Sequence, residues 1–352
     1  MPHHARGSIL LARYLALAWL GLVVYGSLHP FSGWRDTGIS PTAFLDGGWP
    51  RYWTVFDLAA NVTVYLPLGF FFTLALSSLP WRFTGLILAV ILAGATSFSL
   101  ETIQTWLPSR VPSNLDLACN TLGGLLGALW AQHVGPRVLT RWAHLEQQLI
   151  APVPHAELGL TLLGLWLLVP LSPETLLFGA GDLRQALGLM GAVPFAAESF
   201  VLIEASITAF NTIAVGLILR WLIAHTRWAY VIVPLFLLLG LAVRTLATAI
   251  LIGPQEALIW VTPGAQMGLG IGILILALAI PLPATARLVL AAMALMAGTV
   301  LVNMAPPNPY SLAALAAWRQ GHFLNFNGLT RLVATLWPFL TLPFLLLTTR
   351  RQ

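Results

Sequence analysis

Residues 57–79 read DLAANVTVYLPLGFFFTLALSSL, a largely apolar run whose single charged side chain, Asp57, stands at its start. A helix rises about 1.5 Å per residue, so about 20 apolar residues cross the roughly 30 Å hydrocarbon core of a membrane. A helix in the core of a soluble protein does not need so long a run. The stretch therefore predicts a transmembrane helix.

Runs of the same kind occupy most of the chain on both sides of this stretch. They lie near 9–28, 83–106, 115–134, 158–178, 197–223, 228–252, 262–281, 284–304 and 328–348. Only 8% of the 352 residues are charged, 58% are apolar and the mean hydropathy is +0.84, a balance that does not suit a water-exposed surface. We expect an all-α fold, a polytopic transmembrane helical bundle of about ten spans.

Charge and cysteine content argue against several classes of function. The net charge of +5 does not indicate nucleic-acid binding, because the arginines are spread singly between apolar runs. Cys119 is the only cysteine, which excludes an intrachain disulfide, a CxxC redox pair and a cysteine-based zinc site. The catalytic patterns GxSxG and HExxH do not occur. We therefore expect no cofactor, no resident metal and no nucleic-acid partner.

Arginines in the loops predict the orientation, because Lys and Arg are retained on the cytoplasmic side of a membrane. With the amino terminus inside, ten arginines are cytoplasmic: Arg6, Arg13, Arg82, Arg137, Arg141, Arg220, Arg227, Arg287, Arg350 and Arg351. Six are in outer loops: Arg35, Arg51, Arg110, Arg184, Arg319 and Arg331. We therefore predict a multi-pass protein of the cytoplasmic (inner) membrane with both termini cytoplasmic.

Polar pairs at the ends of three predicted spans indicate a shared site. Two side chains spaced three or four residues apart share one face of a helix. Three such pairs occur: Asp57 with Asn61, Glu101 with Gln104, and Asp116 with Asn120. In the predicted topology all three pairs lie at the outer boundary, together with His29 and Arg110. The alternative is structural, because Asp stabilises the start of a helix and Asn joins neighbouring helices.

The blocks that carry these residues resemble the VanZ-like family. They are YGSLHPFSGW (25–34), DLAANVTVYLPLG (57–69), ETIQTWLPSRVPSNLD (101–116) and NTLGG (120–124). The resemblance covers about residues 10–135, in matching order and spacing. The family takes its name from a protein associated with low-level resistance to the glycopeptide teicoplanin. The resemblance therefore implies a bacterial cell-envelope protein with a link to antibiotic resistance.

The resemblance also predicts the domain organisation. We expect a four-span VanZ-like membrane domain at 1–135, a cytoplasmic linker at 136–157 and a C-terminal membrane domain of about six spans at 158–352. The C-terminal domain matches no family that we recognise. Its stretch 266–272, QMGLGIG, is similar to 120–127, NTLGGLLG, which indicates either a degenerate repeat or glycines placed alike for helix packing.

Glu204 and Arg244 are the notable charged residues within the spans of the second half. They fall at similar depths on adjacent antiparallel helices of the predicted topology. A charged side chain in lipid is costly unless it has a partner. We expect a buried ion pair between them, which either fixes the helix register or takes part in function.

Three functions remain open at this point. A binding or accessory protein would recognise an amphiphilic or lipid-linked envelope intermediate at the outer membrane face. An enzyme acting on a lipid-linked substrate would use Glu101 or Asp57 as general base and Arg110 to hold a phosphate, and oxygen ligands for a divalent cation are also available. A secondary transporter would have its site near the membrane midplane. We favour binding, because the polar pairs lie towards one face.

Overall fold

The computed structural model describes residues 3–50, 52–79, 81–172, 174–187, 195–306, 308 and 324–349. Its α-helices are α1 (His3–Leu28), α2 (Ala43–Asp46), α3 (Val55–Ala75), α4 (Arg82–Gln104), α5 (Asn114–Leu149), α6 (Ala156–Trp166), α7 (Arg184–Leu187), α8 (Ala197–Leu222), α9 (Thr226–Leu251), α10 (Pro263–Ala279), α11 (Ala284–Met304) and α12 (Leu324–Thr349). Short 3₁₀ helices lie at Val169–Leu171 and Pro254–Glu256. These residues include no strand, and the all-α prediction is confirmed.

Seven helices of the described chain are long and apolar enough to cross a membrane. They are Gly7–Leu28, Val55–Ala75, Phe83–Gln104, Ala197–Leu222, Thr226–Leu251, Ala284–Met304 and Gly328–Thr348. Each corresponds to one of the ten apolar runs. The chain is thus a multi-pass membrane protein, with seven candidate spans in its described part.

The other three runs differ from the prediction. The run at 115–134 lies within α5, and the run at 262–281 forms α10, a shorter apolar helix of 17 residues. The run at 158–178 is not a continuous span, so that prediction is wrong. Helix α6 ends at Trp166 and a 3₁₀ turn follows, since Pro170 has no N–H to continue an α-helix.

Two compact units divide the chain between Leu145 and Glu146. Helix α5 continues as one helix through the start of the predicted linker and carries Pro136 inside it. The predicted domain boundaries and the predicted orientation stay predictions. The arginine count behind the orientation includes Arg51, Arg319, Arg350 and Arg351, which lie outside the described residues.

Glycines let the helices of the first unit approach closely. A side chain at Gly123 would meet the carbonyl oxygen of Val62 in α3, and one at Gly127 would meet that of Leu66. A side chain at Gly124 would also collide with Ala93 in α4. Small residues at helix contacts are the usual device for packing within lipid. Helix α5 therefore packs closely against both α3 and α4.

Helix α8 forms the centre of the second unit. Of its most apolar 18-residue window, 72% is buried, against 33% for α9. Gly268 and Gly272 of α10 lie directly against the backbone of α8. Gly268 and Gly272 thus have the same packing role as the glycines of 120–127, which accounts for the similarity of the two stretches without a repeat. The duplication stays a prediction.

Candidate functional site

A capping box positions Asp57 at the start of α3. The Asp57 backbone N–H donates to the Thr54 hydroxyl at 3.1 Å, and the Asp57 carboxylate accepts from the Thr54 N–H at 3.0 Å and from its hydroxyl at 2.7 Å. Both orphan N–H groups of the helix end are satisfied in this way. The carboxylate itself stays exposed at the surface of the first unit.

Ser113 gives α5 a similar start and places Asp116 beside α3. Its hydroxyl accepts hydrogen bonds from the N–H groups of Leu115 at 3.2 Å and Asp116 at 3.3 Å. Asn61 and Asp57 of α3 both lie near enough to the Asp116 carboxylate to interact with it. Two helix starts therefore place two carboxylates and an amide next to each other.

These carboxylates face an open cavity of about 360 Å³ on the first unit. Its wall is built from the loop before α3 and the loop before α5, which are joined by a 2.8 Å hydrogen bond from the Asn114 side chain to the Gly47 carbonyl oxygen. The lining includes Phe44, Tyr52, Trp53, Asp57, Ser113 and Asp116. The cavity thus has both aromatic and acidic walls. It lies at the start of α5 and at the start of α3, which is a candidate membrane helix.

Glu101 lies buried next to this cavity, with 4% of its surface exposed. Its carboxylate accepts a 2.8 Å hydrogen bond from the backbone N–H of Ser113, the residue that caps α5. Asp116 and Arg110 are both near enough to interact with it electrostatically. Glu101 therefore supports the cavity wall and does not line the cavity.

Arg110 and His29 sit together at the end of α1. The Arg110 guanidinium donates to the carbonyl oxygen of His29 at 2.9 and 3.2 Å and to that of Gly26 at 2.9 Å. Burial lowers the pKa of the Arg110 guanidinium, while Glu101 acts in the opposite direction. Partial burial, and then the charge of Arg110, lower the pKa of His29. Arg110 thus closes the C-terminal end of α1.

Gln104 and Asn120 turn into the helix bundle. The Gln104 amide donates to the carbonyl oxygen of Ser27 at 3.0 Å, and the Asn120 amide donates to the Ser97 hydroxyl at 3.0 Å. Of the eight predicted residues, Asp57 and Asp116 line the cavity, and Asn61 lies near Asp116. The other five lie beside it or beneath it in contacts that hold helices.

Sequence reasoning did not single out the remaining cavity residues. Phe44, Tyr52 and Trp53 come from a loop whose tryptophans are read most simply as interfacial anchors. A capping pattern could have identified Ser113, because Ser stands three residues before Asp116 at a helix start. Among the described residues, the structure has no group of three or more His, Cys, Asp and Glu side chains suited to a metal ion.

The predicted Glu204–Arg244 ion pair is not among the ion pairs of the described residues, which are Arg184–Asp182 and Arg331–Glu174. The two side chains turn towards different elements. Glu204 accepts a 2.6 Å hydrogen bond from the Thr262 hydroxyl at the start of α10. Arg244 donates to the carbonyl oxygens of Ser172 and Thr175 in the segment that follows the 3₁₀ turn. The two residues lie at similar distances from the ends of their helices, but that distance does not specify which neighbouring element each side chain faces.

The comparison with protein families finds a match in the first part of the chain. Residues 13–135 match the model of the VanZ/LLP1 family, which covers the segment that carries the cavity. The remaining residues form an additional C-terminal region beyond the match. No curated protein and no solved structure matches the chain.

Proposed function

We propose that the VanZ-like segment is a binding module that recognises the headgroup of an amphiphile in the cavity between Asp57, Asp116 and Trp53. The observation that carries this proposal is the meeting of two carboxylates and aromatic side chains around one open cavity. A ligand site typically joins apolar walls with a few convergent polar groups. The cavity has both.

The chemistry of the wall indicates the class of headgroup. Carboxylates accept charge-assisted hydrogen bonds from ammonium groups and hydrogen bonds from hydroxyl groups. Aromatic faces attract cations and cover apolar ring surfaces. The best-suited ligand is an amine- or hydroxyl-bearing headgroup, such as that of a lipid-linked envelope intermediate. Its acyl or prenyl chains would lie along the candidate membrane helices.

The competing functions have less support. An enzyme that holds a phosphate with Arg110 would have to release the main-chain carbonyl oxygens that this guanidinium binds. A transporter site is expected near the midplane of the membrane. The cavity instead lies where α3 and α5 begin. We also propose a link to glycopeptide resistance, which is supported by the resemblance to the VanZ-like family.

Native mass spectrometry of the full chain, purified in mild detergent, tests the proposal by identifying the lipids that co-purify. Asp116→Asn and Trp53→Ala each remove one wall of the cavity. We expect each to lower the occupancy of the bound amphiphile roughly tenfold or more, because Asp116→Asn weakens a charge-assisted hydrogen bond and Trp53→Ala removes an aromatic face. Asp57 is a poorer target, because its carboxylate also caps α3.

Matched control variants exist in the segment before α3, which also contains Trp53. Asp46→Asn makes the same chemical change on an exposed carboxylate, and Trp49→Ala removes a tryptophan that is 72% exposed; neither residue belongs to the cavity wall. Both controls should keep the occupancy of wild type. If Asp116→Asn and Trp53→Ala kept it as well, in protein with an unchanged melting temperature, the binding proposal would be wrong.

A further inference from the structure

Four helix ends meet around two arginines in the second unit. Arg220 lies in the last turn of α8 and Arg287 in the first turn of α11. Helix α10 ends at Ala279 beside them, and α9 begins at Thr226. Because α8, α9 and α11 are candidate membrane spans, these ends lie at one boundary of the membrane-crossing region.

Each of the three guanidinium nitrogens of Arg220 has a hydrogen-bond partner at the surrounding helix ends. Its guanidinium donates to the carbonyl oxygen of Ile280 at 3.3 Å and to that of Ile223 at 2.9 Å. It also donates to the Thr226 hydroxyl at 2.8 Å. These contacts close the C-terminal ends of α8 and α10, where a cation is favoured by the helix dipole.

Arg287 is held more loosely. One nitrogen, Nη1, donates to the Ile280 carbonyl oxygen at 3.1 Å, so the two guanidinium groups share that oxygen. Its Nε is buried without a hydrogen-bond partner. Arg287 is 9% exposed and Arg220 is 6% exposed. A buried donor without a partner is costly, and two neighbouring cations add their repulsion to that cost.

The described residues include no carboxylate that forms an ion pair with either arginine. Glu256 is the only acid in 205–352, and it lies in the 3₁₀ turn after α9, at the opposite end of that helix. A buried pair of cations without an anion points to an anion from outside the chain.

Neighbouring residues indicate that this end of the unit lies at headgroup level. Trp228 is 40% exposed and Tyr230 is 48% exposed, both in the first turns of α9. The Arg227 guanidinium lies 5.7 Å from the centre of the Trp228 ring. Exposed Trp and Tyr at helix ends are typical of the interface between lipid and water. The anions most abundant there are lipid phosphates.

We propose that Arg287, supported by Arg220, binds a phosphate group at this end of the second unit. The planar guanidinium matches phosphate oxygens through two parallel N–H groups, and the buried Nε of Arg287 supplies one of them. The phosphate of a phospholipid headgroup and a free phosphate ion have the same chemistry here. The site is separate from the cavity of the VanZ-like segment and does not depend on its function.

The test measures bound phospholipid on the full chain by native mass spectrometry after reconstitution in nanodiscs. One nanodisc contains phosphatidylglycerol, and the other contains a phosphate-free galactolipid with added inorganic phosphate. Arg287→Gln removes the charge and the Nε–H donor, while Arg287→Lys keeps the charge and loses the paired geometry. Arg227→Gln is the matched control, an arginine at the same end that makes none of these contacts.

We expect wild type and Arg227→Gln to retain phosphatidylglycerol through delipidation, Arg287→Gln to lose at least roughly tenfold in occupancy, and Arg287→Lys to fall between them. Retention of inorganic phosphate alone, lost in Arg287→Gln, would also support the site and would identify a soluble ligand. Equal occupancy in wild type and a folded Arg287→Gln would overturn the proposal. Arg287→Lys, with its charge retained, repeats the comparison if Arg287→Gln does not fold.

Discussion

The two compact units use glycine in the same way but place their polar side chains differently. In the first unit, Asp57 and Asp116 lie at helix starts and face an open cavity. In the second unit, Glu204 and Arg244 are buried and bind a hydroxyl or main-chain carbonyl oxygens of their own unit. Close helix packing is thus shared, while polar groups available to a ligand are concentrated at helix ends.

This difference has a physical reason. A polar side chain inside a packed membrane bundle must find a partner within the chain, because lipid offers none. At a helix end, loop residues and water can satisfy it, and its spare hydrogen-bonding capacity remains for a ligand. Depth in the bundle therefore indicates, better than residue type does, which polar groups are held by contacts within the chain and which keep spare hydrogen-bonding capacity.

The shared packing gives the largest expected effect. Gly268→Ala and Gly127→Ala each place a methyl group on a backbone carbonyl oxygen, that of Ala205 or that of Leu66. The helices must then separate, and we expect a loss of about 2–4 kcal/mol in the free energy of unfolding. Thermal unfolding in detergent, followed by circular dichroism, measures the change.

Gly270→Ala is the matched control, since nothing lies within 4 Å of a methyl group at that position of α10. It should be neutral or stabilise the protein by up to about 1 kcal/mol, because alanine favours a helix. An equal loss in Gly268→Ala and Gly270→Ala would show that helix propensity and not close packing controls this interface.

A smaller effect is expected from the buried charges of the second unit. Arg244→Gln leaves the carbonyl oxygens of Ser172 and Thr175 without their donor, which should cost about 2–3 kcal/mol. Glu204→Gln keeps an acceptor for the Thr262 hydroxyl and should cost about 1 kcal/mol.

The double variant distinguishes these separate roles from an ion pair. Because the two side chains bind different elements, their effects should add to within about 0.5 kcal/mol. The free energies of unfolding of both single variants and the double variant complete the cycle. A coupling energy above about 1 kcal/mol would show that the two charges do interact.

The smallest effect concerns His29 in the first unit. Its pKa lies below the ordinary value of 6.5, since burial and Arg110 disfavour the charged imidazole. The folded state therefore prefers neutral His29. Its contribution to stability is present above about pH 6.5 and is lost as the pH falls through the lowered folded-state pKa.

We expect the melting temperature of wild type to fall more steeply between about pH 7.5 and pH 5.5 than that of His29→Gln. His144→Gln, which replaces an exposed histidine of the same unit, should follow wild type. Parallel curves for wild type and His29→Gln would mean that this side chain has no part in the pH dependence.

Much of the architecture was predictable from local sequence. The apolar runs located all seven candidate spans, and spacing put Asp57 with Asn61 on one face of α3. The capping residues Thr54 and Ser113 follow patterns that the sequence contains. The count of about ten spans stays a prediction. For the run at 158–178, apolar length alone does not reveal that the helix ends at Trp166, before Pro170.

The site was predictable only in part. The cavity depends on which loop residues fold over the helix ends, and Trp53 and Phe44 have no periodicity that would place them there. The partners of Glu204 and Arg244 depend on the rotation of α8 and α9 about their axes, which depth along the chain does not specify. Both are set by packing between distant segments.

The sequence by itself determined that this chain is a helical membrane protein with a VanZ-like first segment, because apolar length, charge content and ordered motif blocks are local properties. Only the tertiary structure decided which polar residues meet. It brought Asp57 and Asp116 together beside an aromatic loop and turned Arg110 to the end of α1. It also gave Glu204 and Arg244 different hydrogen-bond partners. Such contacts arise from helix rotation and close approach at glycines, which involve residues far apart in the chain.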